Sequence, residues 1–454
     1  MRLGFSFSTV WCALALLSAN PQTIVAADTV DLIAAPTAGE AIHVDVVLEA
    51  AGELKFKEQE SLKTVPTAVS ARMAYDEIVA PKSDDGRTVR LYSTAEANIQ
   101  VDKTPSKSIL RQDRNLVVIQ PTEAQPLVFS AVGPLTAEEL DLLQVPFTST
   151  IVDRLLPGKS TTVGDTWKHD DTLLSALLNL DAVSQSDVTS TLSEVDEKAA
   201  RIELRGTAQG ALGGVATEFE IEGRYKFDRA TKRVTWVAVL LKEQRSIGHI
   251  EPGVNATSRL QMVVAPTKTP ADLTAGGLAD FDLDTKPEYV QLEYTSTLGR
   301  FGLRHDRRWH VMADAREVLS LRMVDRGELV AQCNVRSVPL ADANRRPTLA
   351  QFQADVRRSI DKHFRQFARV GESQNSLGHT IFRAEAVGDV QELEIHWIYY
   401  LVQDQAGHQA VFAFTCEQPM LERLGNADQE LISTVRFADD TTTAAQPTPA
   451  PTVR

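Results

Sequence analysis

The sequence predicts a mainly β chain. An N-terminal antiparallel β-rich domain, a curved sheet or half-barrel, precedes a C-terminal α+β domain. Three observations predict this. Strand-type alternation recurs through residues 28–265. Lysine usage changes abruptly inside a Pro/Gly/Asp-rich stretch, 266–287, which reads as a linker. Beyond it, alternating runs joined by turn signals surround one strongly amphipathic helical segment.

Residues 1–27 read as a secretory signal peptide. Arg2 supplies a positive charge, and an uncharged apolar run, Val10 to Leu17, follows. That run is too short to span a bilayer, which takes about 20 apolar residues. Small residues at Val25, Ala26 and Ala27 predict cleavage before Asp28, with cleavage after Ala19 as the alternative. Trp11 directly before Cys12 argues against a lipid-modified cysteine. The expected product is exported, periplasmic or secreted, and carries no transmembrane segment.

The first region is acidic. Residues 28–286 carry 27 Lys+Arg against 39 Asp+Glu, a net of 27 − 39 = −12. That charge repels phosphate backbones, so nucleic acid is excluded as a partner there. Alternation is clearest at Glu218–Phe227, where Phe219, Ile221, Tyr225 and Phe227 share one face and charged residues take the other. Asp228–Arg233 turns this run into a second strand, Val234–Leu241. Further strands are expected at His43–Leu48, Gly52–Lys57, Ala71–Ile78, Thr88–Tyr92, Leu116–Ile119, Ala200–Gly206 and Ser258–Val264. Two short helices interrupt them. Thr136 and Glu139 form a capping box, and Leu173, Leu174, Leu177 and Leu178 recur at helical spacing. A subdomain break is placed near Pro134.

The second region, 288–438, is close to neutral at 18 − 20 = −2. Strands are expected at Tyr289–Tyr294, Val318–Val324, Leu329–Val335, Thr380–Val387, Leu393–Leu401 and Val411–Cys416. Asp325–Gly327, Gly388–Asp389 and Gln405–Gly407 read as hairpin turns. Thr348 and Gln351 cap a helix that runs to Phe367. Leu349, Phe352, Val356, Ile360, Phe364 and Phe367 line one face of it. A closing helix at Met420–Ser433 precedes Val435–Phe437. Residues 439–454 read as a disordered tail.

Few motifs carry chemistry. Gly158-Lys159-Ser160 lacks the earlier glycine of a phosphate loop, since Asp153 stands there. Gly206, Gly210, Gly213 and Gly214 miss the dinucleotide spacing and read as a wide hairpin loop. His305 and His310 are five apart, which puts them on opposite strand faces and rules them out as joint metal ligands. No catalytic, cofactor or metal site is assigned, and no cofactor is expected. Cys333 and Cys416 remain after signal removal, each on an apolar strand face. A disulfide and two buried thiols are both open readings. Arg304, Arg307 and Arg308, with Arg357, Arg358 and Arg365 on the helix, are solvated faces or else a basic surface for an acidic partner. His396, Ile398 and Tyr400 face opposite to Trp397, Tyr399 and Leu401, as in cross-strand packing.

With its strand order, the capped helix, the Ile395–Leu401 strand and the closing helix before Val435-Arg436-Phe437, the second region resembles the PsbP-like fold. That resemblance implies a domain that binds or stabilises other proteins; no binding residues are carried over. The first region, with Val163-Gly164-Asp165-Thr166-Trp167 opening its second half, resembles uncharacterised exported bacterial two-domain proteins. It is more weakly similar to half-barrel lipoprotein carriers. The leading expectation is an exported non-enzymatic binding or interaction protein, with another envelope protein or an apolar ligand as partner. Alternatives are a carrier of an apolar ligand or lipid in the β domain, and a hydrolase whose residues converge only in space.

Overall fold

A computed structural model describes residues 29–438, apart from 36–38, 59–60, 82–85, 123–124, 297, 316–317 and 339–345. The signal peptide, Cys12 and the expected tail lie outside the described residues.

The first region is built on a large antiparallel sheet of twelve strands, with a separate two-stranded sheet pairing Thr29–Leu32 with Lys159–Thr162. The path of the large sheet runs Leu127–Ser130, Leu116–Gln120, Thr88–Val101, Ser61–Val79, Ala41–Glu58, Gly253–Thr267, Arg233–Arg245, Val215–Asp228, Ala199–Leu212, Ala182–Val195 and Thr166–Lys168; Thr104–Ile109 pairs alongside Thr88–Val101. The chain is mainly β, as expected. The expected strands His43–Leu48 and Gly52–Lys57 are one strand, paired with Ser61–Val79 over its whole length.

Alternation decides which face is buried. Val44, Val46, Met73, Tyr75, Ile221, Tyr225, Val237, Val239, Leu260 and Met262 point into one core. Three helices fill it: α1 (Ala137–Leu143), α2 (Ser149–Val152) and α3 (Asp171–Leu178). Residues from both ends of the strand path, Val117 and Val188 among them, share that core, so the sheet curls around the helices. The core spans both sides of Pro134 and shows no break there. The capping box at Thr136 and Glu139 is present, and Asp170 caps α3 through the Leu173 amide at 2.8 Å.

Two local expectations are corrected. Gly206 and Gly210 lie inside the strand Ala199–Leu212, and only Gly213 and Gly214 turn, both at positive φ. A two-residue turn with both φ positive matches strand twist, which the wider loop did not require. The stretch expected as a linker is packed: Leu273 and Leu278 are buried with Ile78, Val118 and Phe129 on the outer side of the sheet.

The second region opens with α4 (Pro287–Val290), so the strand expected at Tyr289–Tyr294 begins only at Leu292 and runs to Ser296, in a small three-stranded sheet. Its main body is a seven-stranded sheet ordered Trp309–Asp314, Leu319–Asp325, Glu328–Val338, Gln409–Glu417, Leu393–Gln403, Thr380–Val390 and Phe364–Gln374. Helix α5 spans Leu349–Ile360 with the expected capping box. It ends where Asp361 takes φ 53°, so Phe364 and Phe367 belong to the next strand. Both still pack against the α5 core, which is why their spacing imitated a longer helix. The hairpin expected at Gly388–Asp389 turns two residues later, at Gln391 and Glu392. The closing helix is split at Gly425 into α6 (Leu421–Leu424) and α7 (Ala427–Ser433). Among the described residues, no helix is long and apolar enough to cross a membrane.

Candidate functional site

The inward positions of the first sheet stay apolar until one end, where they become polar. Val44 and Tyr75 are followed by Glu77, and Tyr92 is preceded by Arg90, all on the buried face. Glu77 and Arg90 are register partners. Arg90 Nε donates to Glu77 Oε2 at 2.6 Å. Its other nitrogens reach Ser149 Oγ at 3.1 Å and the Tyr92 hydroxyl at 3.4 Å. The guanidinium also lies 4.6 Å over the Tyr75 ring. Ser149 is the first residue of α2, which brings it across the end of the sheet.

The Ser149 hydroxyl is held by three hydrogen-bond partners. It donates to Glu77 at 2.9 Å and accepts from Arg90. With that proton committed, Tyr75 is the donor in the 3.0 Å contact between the two hydroxyls. A serine hydroxyl has one proton and two lone pairs, so all three are used. Burial raises the Tyr75 pKa, which keeps the phenol a donor. A second buried hydroxyl cluster is equally closed. His169 Nε2 contacts Ser190 Oγ at 2.8 Å, and Tyr225 donates to Ser190 at 2.9 Å, with Ser190 fully buried.

Beyond the Glu77–Arg90 layer the space opens into a cleft of about 390 Å³. Strand ends supply Ile42, Val79, Thr88, Ile119 and Arg233; α2 and α3 supply Thr150, Ile151, Thr172 and Ala176; Pro121 and Pro126 close one side. By antiparallel order all these strand ends lie at the same end of the sheet. Ile42, Ile119, Ile151 and Ala176 belong to the main core, so the cleft floor is apolar. Its charged lining is Glu40, Glu77, Asp153, Arg154 and Arg233.

Arg233 is 9% exposed, yet its side chain makes no hydrogen bond among the described residues. The nearest carboxylate oxygen, on Asp153, is 3.7 Å away, and the other Asp153 oxygen accepts the Val234 amide at 2.6 Å. Burial raises the Asp153 pKa despite that amide bond and the neighbouring Arg233. Thr88 Oγ1 is likewise buried without a partner. Buried polar groups left unpaired are uncommon and costly. Of two shallower grooves, the one of about 580 Å³ beside Trp236 has no such buried atom in its lining, whereas the one of about 660 Å³ beside Leu62 is lined by Arg245, whose Nε is also buried without a hydrogen bond but whose guanidinium is flanked by two carboxylates, Glu243 at 3.2 Å and Glu251 at 3.7 Å.

Sequence reasoning missed this cleft. Arg233 ends a hairpin turn and reads as solvated. The usable signal was parity: Glu77 and Arg90 occupy inward positions of otherwise apolar alternations.

The arginines singled out in the sequence have different surroundings. Arg307 turns inward, donating to the Val290 carbonyl at 2.8 Å and the Val128 carbonyl at 2.6 Å, which ties the two regions together. Burial pushes its pKa down to about 10. Arg308 is held by Asp306 at 2.9 Å, and the Arg304 backbone amide meets Thr434 at 2.8 Å. Arg357 lies over the Phe364 ring, Arg358 pairs with Asp355, and Arg365 bonds Glu394. The seam also carries Arg111, which bonds both Glu139 and Glu293, and Arg322, which donates to the His249 carbonyl. A side chain at Gly214 would run into the Gly327 backbone across that seam.

Cys333 and Cys416 are both free and buried in one core. Cys333 faces Phe414 across the strand pair, and Cys416 lies further along. Burial pushes the Cys416 thiol up to about 12 and Cys333 well above its ordinary value, which makes both poor nucleophiles. Ile398 and Tyr400 pack in that core, while Tyr399, Trp397 and Leu401 pack beneath α5, as the alternation predicted. Among the described residues no group of three or more His, Cys, Asp or Glu side chains could hold a metal ion.

Burial sets one pH dependence. His169 is pushed down to about 4 from 6.5, mainly by desolvation. The folded chain therefore resists a proton that the unfolded chain binds. Stability is complete above pH 6.5 and is lost as pH falls toward 4, by about 3 kcal/mol for this group. Burial also lowers His305 and His310, in the same direction. Urea unfolding of His169→Gln should show a flatter profile across that window; a slope equal to wild type would remove His169 from the account.

No family model matches the chain, and no curated protein matches it. Among solved structures, cyanobacterial PsbP from Synechocystis is 11% identical, with TM-score 0.26, covering 32% of this chain and 92% of its own. The Ran-binding protein Mog1p from Saccharomyces cerevisiae is 9% identical, with TM-score 0.27, covering 33% and 97%. A loop-deleted OmpT from Vibrio cholerae reaches only TM-score 0.13 at 8% identity, covering 82% and 98%. The likeness to PsbP and Mog1p is thus distant and partial. Scores of this size carry no argument about activity or partners.

Proposed function

We propose that this chain is an exported, non-enzymatic binding protein, and that the cleft at the polar end of the curled sheet takes a small ligand. The observation that carries the reading is the cleft's composition. It joins an apolar floor to a buried guanidinium with no hydrogen-bond acceptor, as in small-molecule sites. Its volume of about 390 Å³ falls near the lower end of the usual range of roughly 300–1,000 Å³. The Ser149 hydroxyl at its inner wall is committed to internal hydrogen bonds, which favours binding over nucleophilic chemistry there. The deeper inner face is filled by side chains of α1, α2 and α3, so the ligand occupies the end of the sheet and not its middle.

The test is native mass spectrometry of the full chain recovered from the extracytoplasmic fraction of a bacterial host. The expected mass corresponds to a chain starting at Asp28 with a small ligand bound. Thr172→Trp, which adds bulk at an exposed position lining the cleft, should lose the ligand and keep the fold. Equal ligand loads on wild type and variant would overturn the site. A cytoplasmic chain retaining residues 1–27 would overturn export.

A further inference from the structure

We infer that the ligand of this cleft carries a single carboxylate, received by Arg233, on an apolar body about the size of a medium-chain acid. This rests on the reading of the cleft as a binding site. Three features of the lining point to it.

The first is the unmet donor capacity of Arg233. A guanidinium offers five N–H donors in a planar fork that matches a carboxylate. Nε is buried without a hydrogen-bond partner, and among the described residues the nearest carboxylate oxygen to the fork, on Asp153, stays at 3.7 Å, beyond hydrogen-bond distance. Asp153 balances the charge at that distance without taking a hydrogen bond from the fork. Thr88 Oγ1, also buried and unpaired, lines the same space and can donate to the same ligand group.

The second is the charge sum. Arg90 neutralises Glu77 at 2.6 Å, and Asp153 stands beside Arg233. Arg154 is exposed on the lining, and Glu40 lines it as well. The cleft is therefore close to neutral overall. With these charges already balanced, each negative charge on a ligand adds an uncompensated one in a half-enclosed space, so a single carboxylate held by the hydrogen bonds of the fork is favoured over a dianion.

The third is the floor. Ile42, Ile119, Ile151 and Ala176 offer only apolar contact, so the rest of the ligand is apolar.

Calorimetric titration of the full chain with octanoate, octanol and octyl phosphate tests this. Octanoate should bind at least tenfold tighter than octanol, and tighter than octyl phosphate. Charge-assisted hydrogen bonds of about 1.5–3 kcal/mol correspond to roughly ten- to hundredfold in affinity. Arg233→Met should cost octanoate at least tenfold and leave octanol within about twofold, since the fork is lost and the floor is kept. If Arg233→Met does not fold, the wild-type ranking decides alone. Equal affinity for octanoate and octanol overturns the carboxylate and leaves the binding site standing. Tighter binding of octyl phosphate overturns the single charge. Unchanged octanoate binding by Arg233→Met overturns the role of Arg233. Failure of all three probes to bind overturns the site as well.

Discussion

Glu77→Ala should destabilise the protein by about 3–5 kcal/mol, the range for breaking a buried ion pair from one side. Arg90 has a side-chain exposure of 2%, and its shortest bond goes to Glu77. Without the carboxylate a full positive charge stays buried against Tyr75, Tyr92 and Ser149. Ser149 also loses the acceptor for its proton. Replacing both partners, Glu77→Leu with Arg90→Met, should recover most of the loss. Two matched apolar side chains carry no desolvation cost, and such exchanges are often neutral or better. Urea unfolding of the single and double variants gives the comparison. A loss under about 1 kcal/mol for Glu77→Ala would show that the pair is solvated and not a buried layer. The outcome bears on the cleft too, because this pair forms its inner wall.

Trp309→Ala should cost a similar amount, about 3–5 kcal/mol, through the cavity it leaves. Trp309 is 1% exposed and meets Phe414 edge-on at 5.6 Å between ring centroids. Its core also holds Leu321, Met323, Cys333 and Phe412. Trp309→Phe should cost far less than the usual loss of an indole. Among the described residues the Trp309 Nε1 hydrogen has no acceptor, so phenylalanine removes an unpaired donor along with the extra ring. Thermal unfolding monitored by circular dichroism should place the phenylalanine variant close to wild type and the alanine variant well below it. Equal losses for the two would overturn the prediction, since a phenyl ring would then recover none of the packing that alanine forfeits.

Much of the fold was legible because it is local. Alternation at Glu218–Phe227 marks a strand wherever its partners are. The Thr136–Glu139 and Thr348–Gln351 boxes start their helices through contacts within four residues. Errors arose where a local pattern suits two structures. Phe364 and Phe367 continue a helical spacing, yet Asp361 turns the backbone and the following strand pairs with Thr380–Val390. Gly206 and Gly210 imitate a loop, yet long pairing with Val215–Asp228 absorbs them.

The site was less legible. Glu77 and Ser149 are 72 residues apart, and Arg233 arrives from a third segment. Arg307 sits in a run of charges and reads as solvated, but the docked first region supplies the carbonyl of Val128.

The sequence by itself determined the mainly β class and the caps of α1 and α5. These follow from periods and contacts within a few residues. Only the tertiary structure decided that the sheet curls around α1, α2 and α3, that Arg307 joins the two regions, and that Arg233 is buried without an acceptor. Each depends on which distant segments arrive beside it. Burial and hydrogen-bond satisfaction are properties of that arrangement and not of the local pattern.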